Sequence, residues 1–359
     1  ARAPSDAFVS RRHPSRLMKT DRQPLVWALL GEKAGDNEQV LALVEALGLP
    51  FRVIRLHYNS FYRVPNPILG ATVRSVAVAD PELAPPWPDL VVAAGRRSVP
   101  VARWIRRSAD GRVRLVQIGR PRATLDLFDL VLAPAQYRLP ARDNVVRLTL
   151  PLVRAQAASD AASAWHDEIA ALPRPRAAVL IGGPTRTLDL PASTIRQTVD
   201  VAARAVGPQG SLLITTSPRT PEEKVPELAA ERPALLYSWR ARGGLENPLD
   251  TFLLSADRVV VTGDSVSMLA KAVATGLPVT VVPARKRGVY RWLAAMPPNA
   301  FRLWQSLMHN AAVLTPPPDT EAPMETLAVN DDAAWVGGVL EVPSQKDRRQ
   351  EILDHVRSR

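Results

Sequence analysis

Residues 259–287, VVVTGDSVSMLAKAVATGLPVTVVPARKR, pass from an apolar run into Gly-Asp-Ser, through a helical pattern, and into a second apolar run that ends in Arg285, Lys286 and Arg287. An apolar strand that enters a helix through a Gly-containing turn, and returns as another apolar strand, is one unit of a parallel α/β sheet. Outward from this unit the plan repeats. "AAVLIGG", "SLLITTS" and "ALLYSW" precede it as strands, with helices near 192–206, 222–231, 249–255 and 266–275. Further upstream "PLVWALLG", "FRVIRLHY", "PDLVVAAG", "RLVQIG", "FDLVLAP" and "NVVRLTL" form a second set of strands. Between them lie "DNEQVLALVEALGLP", with Val40, Val44 and Leu47 on one helical face, and "RRSVPVARWIRRSAD", with an Arg-rich outer face. The expected fold is therefore α/β: two Rossmann-like domains with parallel sheets facing a central cleft.

A Pro-rich, basic break, "AALPRPRA", separates the halves. It sets an N-terminal domain at 24–155 and a C-terminal domain at 174–318, joined near 151–175. Residues 1–23 read as a flexible basic arm that lacks the apolar core of a secretory signal. Residues 319–359 read as an irregular acidic tail with a final polar helix.

Of the 359 residues, 46% are hydrophobic and 23% charged, the balance of a globular chain large enough for two cores. No run reaches the roughly 18 apolar residues of a membrane-spanning helix. The absence of cysteine excludes disulfides, thiolate metal sites and a cysteine nucleophile. The net charge is +11, and most of the cations are Arg, the side chain suited to bidentate capture of phosphate. A GC-rich coding sequence raises Arg, Ala and Pro together, so this charge alone names no partner.

In open α/β sheets ligands sit beyond the carboxyl ends of the strands, where loops enter helices. Those loops here are Gly31–Asp36, Gly95–Ser98, Gln117–Pro121, Gly182–Arg186, Thr215–Thr220 and Gly263–Ser267. Almost all combine glycine, which lets backbone approach a ligand, with hydroxyls and arginines that donate to phosphate oxygens. Any one of them can also be a capped helix start, with Asp264, Ser265 or Asp36 as the cap. Together they point to an anion-binding cleft. No P-loop, G-x-G-x-x-G or G-x-S-x-G motif occurs at these turns. His13, His57, His166, His309 and His355 all fall outside the Gly loops, which argues against histidine or metal chemistry.

The segments "GEKAGDNEQVLALVEALGLP", "PDLVVAAGRRSVPVARWIRR", "VLIGGPT", "ITTSPRTP" and "ENPLDTFLLSADRVVVTGDSVSMLAKAVATGLPV" resemble, in consistent order over about residues 25–315, the mitochondrial-fission elongated-mitochondria family. Its plant member is linked to recruitment of a dynamin-related protein, and bacterial members have carried an epimerase label. The short-chain epimerase signature, a Gly-rich N-terminal turn with Tyr-x-x-x-Lys, is missing.

The architecture is also similar to GT-B glycosyltransferases. That resemblance implies a nucleotide-sugar site in the C-terminal domain, matched here by Gly182, Gly183, Thr185, Arg186, Asp264, Ser265, Val266, Ser267 and Met268; the loops after the neighbouring strands add Thr216, Ser217, Arg219 and Asn247 as candidates for the same site. Related proteins place a ribose-binding Glu in the late helix, where this chain has Lys271, a cation that cannot accept from hydroxyls. The implied reaction is metal- and cofactor-free transfer from a UDP- or CMP-linked sugar to an anionic cell-envelope saccharide or glycolipid. Asp36 is the preferred base and Glu32 the alternative. Gly35, Gly95, Arg96, Arg97, Gln117 and Arg120 are assigned to the acceptor side of the cleft, and Arg186, Arg219 and the Asp264–Ser267 turn to the leaving diphosphate.

Residues 285–304 mix Arg285, Lys286, Arg287 and Arg291 with Tyr290, Trp292, Phe301 and Trp304. That composition suits either an anionic membrane surface or a helix pair packed between the domains. The resulting expectation is a cytoplasmic protein, either free or peripheral at the inner membrane, with no nucleic-acid partner. The rival expectation is a non-catalytic adaptor on the same fold.

Overall fold

The computed structural model describes residues 23–154, 162–185, 187–221, 233–241, 247–288, 324, 334–336 and 339–342. The first sheet holds β1 (Val26–Leu30), β2 (Phe51–Tyr58), β3 (Val76–Asp80), β4 (Leu90–Ala94), β5 (Arg114–Ile118), β6 (Leu130–Pro134) and β7 (Val145–Leu148), in the order β3-β2-β1-β4-β5-β6-β7. All neighbours are parallel except β3, which pairs antiparallel with β2. Helix α1 (Ala34–Leu47) follows β1, the single turn α2 (Asn66–Leu69) lies between β2 and β3, and α3 (Val99–Ser108) follows β4.

Successive residues of a strand point to opposite faces of the sheet, and β1 uses both. Val26, Ala28 and Leu30 pack with Val40, Leu43, Val44 and Leu47 of α1. Trp27 and Leu29 pack on the other face with Val99, Val101, Ala102 and Ile105 of α3. Both faces are thus covered, which is why the strand reads as an unbroken apolar run. Each fully buried Val or Leu contributes about 1.5–3 kcal/mol of transfer free energy.

The second half contains α4 (Ala162–Ala170), β8 (Arg176–Ile181), β9 (Leu188–Asp189), α5 (Ala192–Val206), β10 (Ser211–Thr216), β11 (Ala234–Tyr237), α6 (Leu249–Ser255), β12 (Arg258–Thr262), α7 (Val266–Ala274), β13 (Val279–Val282), β14 (Arg285–Lys286), β15 (Ala334–Val336) and β16 (Val339–Val342). Its sheet runs β11-β10-β8-β12-β13-β16-β15, and β14 pairs with β9 in a separate two-stranded ladder. The first five strands are parallel, and β16 and β15 close the edge antiparallel. Along β8, Ala177, Val179 and Ile181 face α5, while Ala178 and Leu180 face the core that includes Leu253 of α6 and Leu269 and Ala272 of α7. No helix among the described residues is long and apolar enough to cross a membrane.

Three features differ from the sequence reading. The strand β3 is a largely exposed edge whose weak alternation carries little burial signal. Part of the tail read as irregular forms the β15–β16 hairpin, and Leu340 is fully buried in the second core. The connection near 151–175 contains α4, whose Trp165 and Ile169 pack against Leu213, Tyr237 and Phe252, so it belongs to the second body. The basic arm to residue 22, the helix expected at 222–231, most of the tail and residues 289–304 of the basic-aromatic stretch lie outside the described residues.

Candidate functional site

Each sheet has one point where neighbouring strands lead their connections to opposite sides. In the first it lies between β1 and β4, in the second between β8 and β12. Such points open a crevice at the strands' carboxyl ends. The candidate site is built from the loops at both.

At the β1/β4 point a cavity of about 300 Å³ is lined by residues that include Glu32, Lys33, Asp36, Tyr58, Gly95, Arg96, Arg97, Arg120, Arg122 and Tyr137. The loop after β1 is fixed by Asn37, whose side chain accepts from Gly31 N–H and donates to Gly31 O, both at 2.8 Å. This sets the start of α1. Its N-cap is Lys33, so Asp36 sits inside the first turn and is not the cap. The Asp36 carboxyl lies against Gly95, where a Cβ would meet Oδ2 at 2.7 Å. Gly95 also has φ +70°, so both space and backbone require glycine there. Burial pushes Asp36 up from the usual carboxylate range, against the pull of Lys33 and Arg97.

The alternative base, Glu32, is half exposed and accepts from Arg97 Nη1 at 2.7 Å. Arg97 in turn stacks on Tyr62, 3.9 Å from the ring centre. Glu32 is therefore engaged by a cation, while Asp36 is the more enclosed carboxyl. Gln117 lies beneath the cavity, fully buried, and its Nε2 donates to Gly95 O at 2.9 Å and braces the glycine turn. Gly35 points elsewhere, toward the second domain: a Cβ on it would lie 3.6 Å from Ser267 Oγ.

One residue outside these loops organises them. Asn66, at the start of α2 and 2% exposed, donates from Nδ2 to Arg96 O at 2.9 Å and Pro121 O at 2.8 Å. It joins the loop bearing Arg96 and Arg97 to the loop bearing Arg120 and Arg122.

At the β8/β12 point most polar groups satisfy one another. Gly182 N–H donates to Thr262 Oγ1 and Gly183 N–H to Asp264 Oδ2, each at 2.8 Å. Asp264 is only 2% exposed, and burial raises its pKa despite its hydrogen bonds and the Arg219 charge nearby. It packs so closely on the glycine pair that a Cβ on Gly182 would fall 2.1 Å from its Oδ2. Arg219 Nη1 donates to Gly183 O at 3.1 Å, and Arg219 Nη2 lies 3.6 Å from Asp264. Ser217 and Thr220 bond each other, Thr185 Oγ1 accepts from Leu188 N–H at 2.9 Å, Thr216 Oγ1 from Trp239 N–H at 3.0 Å, and Asn247 Oδ1 from Leu249 N–H at 3.0 Å. Ser265 is the N-cap of α7 but its hydroxyl makes no capping bond. Val266 and Met268 pack inward, whereas Ser267 faces Gly35. Arg186 lies outside the described residues.

Lys271 has a defined place. Its Nζ donates to Asp250 Oδ1 and Oδ2 at 3.0 and 3.2 Å and lies 3.9 Å from Glu38 of α1. Arg285 and Lys286 form β14 and pair with Leu188 and Asp189, and Arg287 lies 3.9 Å from Asp189.

The sequence reading missed Tyr58, Asn66, Arg122 and Tyr137. Tyr58 ends β2, Tyr137 lies just after β6 and Arg122 is one residue beyond Gln117–Pro121, so taking in every strand exit finds those three. Asn66 carried no local signal.

The profile of a family described as Mitochondrial fission ELM1 matches residues 34–298. Mitochondrial fission protein ELM1 of Arabidopsis thaliana is 37% identical over 224 residues, covering 55% of this chain and 52% of that protein. An uncharacterized protein of Rickettsia prowazekii is 27% identical over 112 residues, covering 30% and 31%. The chain thus spans about half the length of the first of these curated relatives and about a third of the second. Among solved structures, UDP-GlcNAc 2-epimerase from Methanocaldococcus jannaschii aligns at 10% identity and TM-score 0.45, covering 93% of this chain and 99% of that one. A family 9 glycosyl transferase from Veillonella parvula aligns at 12% and 0.39, covering 73% and 81%.

Proposed function

The chain belongs to the mitochondrial fission ELM1 family, and from that premise we propose that it transfers a sugar from a nucleotide-sugar donor to a cell-envelope saccharide or glycolipid without a metal ion. The observation that carries the reading is the meeting of two helix N-termini across the junction. Gly35, in the first turn of α1, faces Ser267, in the first turn of α7, closely enough that a Cβ on it would lie 3.6 Å from Ser267 Oγ. A diphosphate at the start of α7 would be stabilised by free N–H groups and the positive end of the helix, with Arg219 beside it. Asp36 is one residue from Gly35 and is largely enclosed, and this burial raises its affinity for a proton. It would take the acceptor's hydroxyl proton as the sugar departs from the diphosphate.

Isothermal titration with a panel of nucleotides and nucleotide sugars tests the donor half. Saturable heat with a UDP- or CMP-linked sugar, weakened by Arg219→Gln, is the expected result. Folded protein that binds no member of the panel refutes it.

A second reading, a non-catalytic adaptor, rests on Lys271. Where a ribose-accepting carboxylate is expected, this chain has a cation already engaged with Asp250 and Glu38. Under this reading Asp36→Asn and Arg219→Gln leave the cellular phenotype unchanged, and surface substitutions alter it.

A further inference from the structure

Among the described residues, the cavity at the β1/β4 switch point is lined by more cationic than anionic side chains. Five cationic side chains line it, Lys33, Arg96, Arg97, Arg120 and Arg122, against two carboxyls, Glu32 and Asp36. Glu32 is taken up by Arg97. Arg96 and Arg122 have no carboxylate within ion-pair distance among the described residues. They are nevertheless positioned. Arg96 Nη1 donates to Tyr62 O at 2.8 Å, Arg120 Nη2 donates to Tyr137 O, and Asn66 clamps the two loops that present them. Main-chain carbonyls orient a guanidinium without cancelling its charge. Arg122 holds a left-handed backbone, φ +51°, which is uncommon away from glycine and is kept here at a small energetic cost.

We infer that this cavity is a receptor for a dianionic phosphate group, held by the forked donors of Arg96, Arg120 and Arg122. Three guanidiniums crowded together suit a dianion with several acceptor oxygens better than a single carboxylate or a neutral sugar hydroxyl. Burial, and then mutual repulsion of the neighbouring guanidiniums, lowers the proton affinity of Arg96 and Arg122, the strain that an entering anion would relieve. The phenols of Tyr58 and Tyr137, which burial keeps protonated, add neutral donors on the cavity wall. The anion site stands on the cavity alone. Joined to the transfer reading, on which only this step rests, it makes the acceptor a phosphorylated saccharide or glycolipid.

The test is titration of the full chain with inorganic phosphate, a hexose phosphate monoester and the unphosphorylated hexose, alongside sedimentation with phosphatidate-containing and pure phosphatidylcholine vesicles. Phosphate and the monoester are expected to bind and the free hexose not. Arg122→Asn, which tolerates the left-handed backbone, and Arg96→Gln are each expected to weaken binding by about tenfold or more. Arg112→Gln, an exposed arginine just after α3 and outside both sites, should not change it. Phosphatidate binding that Arg122→Asn abolishes assigns the group to a lipid headgroup, and binding of soluble monoester alone assigns it to a soluble ligand. Arginine labelling of the unaltered chain with phenylglyoxal, mapped by mass spectrometry, gives a reading that needs no variant: the monoester should protect Arg96, Arg120 and Arg122. Equal affinity for hexose and hexose phosphate, unchanged affinity in both variants, or no protection overturns the inference. Loss of donor binding with anion binding intact refutes the transfer reading instead.

Discussion

Asp36 and Gly95 form a pair in which each explains the other. The carboxyl occupies the space that a β-carbon at position 95 would fill, and the positive φ there removes any easy alternative. Gly95→Ala should cost about 1–3 kcal/mol from backbone conformation alone and should displace Asp36, so thermal denaturation and monoester affinity are expected to fall together. Asp36 also carries a stability cost. Its folded-state proton affinity is raised, chiefly by burial, so above its folded pKa the charged form disfavours folding, and the cost is relieved as pH falls through that value. Lys33 and Arg97 are the charges that pull against this burial, and Asp36 in turn raises the proton affinity of Tyr58 and Tyr137 on the facing loops. Asp36→Asn is therefore expected to melt higher than the natural protein at neutral pH, with the difference shrinking toward acid. The same change should slow sugar transfer by roughly 10²–10⁴-fold. A variant that is both less stable and inactive would count against this assignment. Asp264 makes the contrasting case, because its buried Oδ2 accepts the Gly183 N–H. Asp264→Ala should lose about 1–3 kcal/mol, whereas Asp264→Asn, which keeps an acceptor oxygen, should lose less.

At the scale of elements, the strands and long helices declare themselves through period. β1, β8 and β12 are apolar on both faces, and α5 and α6 fall where their patterns place them, at Ala192–Val206 and Leu249–Ser255. The cavity is harder to read because its wall is assembled from the exits of β1, β2, β4, β5 and β6, more than a hundred residues of chain brought together by strand order. No local window contains Tyr58, Arg122 and Tyr137 together. Asn66 is the extreme instance: in sequence it is one polar residue before a proline, and its function appears only when two distant carbonyls converge on its amide. Asn66→Ala would leave Arg96 O and Pro121 O without that donor, and it should loosen both arginine loops together. Hydrogen exchange is expected to rise in 95–98 and 119–122 in the variant while α5 and β8 stay protected. A change confined to one loop would disprove the clamp.

For the whole molecule, the two halves are linked by charge between α1 and α7. Lys271 of α7 engages Asp250 of α6 and approaches Glu38 of α1. Lys271 is largely shielded, with 23% side-chain exposure, so the pair exceeds an open surface contact in influence without being a dominant stabiliser. Lys271→Glu would set three carboxylates against one another. The expected outcome is a lower melting temperature and a larger radius of gyration in solution scattering, reflecting looser domains. An unchanged radius would show that Lys271 does not hold the halves together.

The β15–β16 hairpin gives the molecule an order of assembly. Strand β13 has β12 on one side and, on the other, a partner encoded some sixty residues later, Val279 pairing with Val342. During synthesis the first sheet can close as soon as β7 has emerged, whereas the second must wait with an open apolar edge until residue 342 is released. An unpaired edge of this kind recruits strands from other chains. Chains truncated before residue 334 should therefore retain the first body but self-associate through β13, and the burden of preventing this in the cell falls on the interval between translation of β13 and translation of the hairpin.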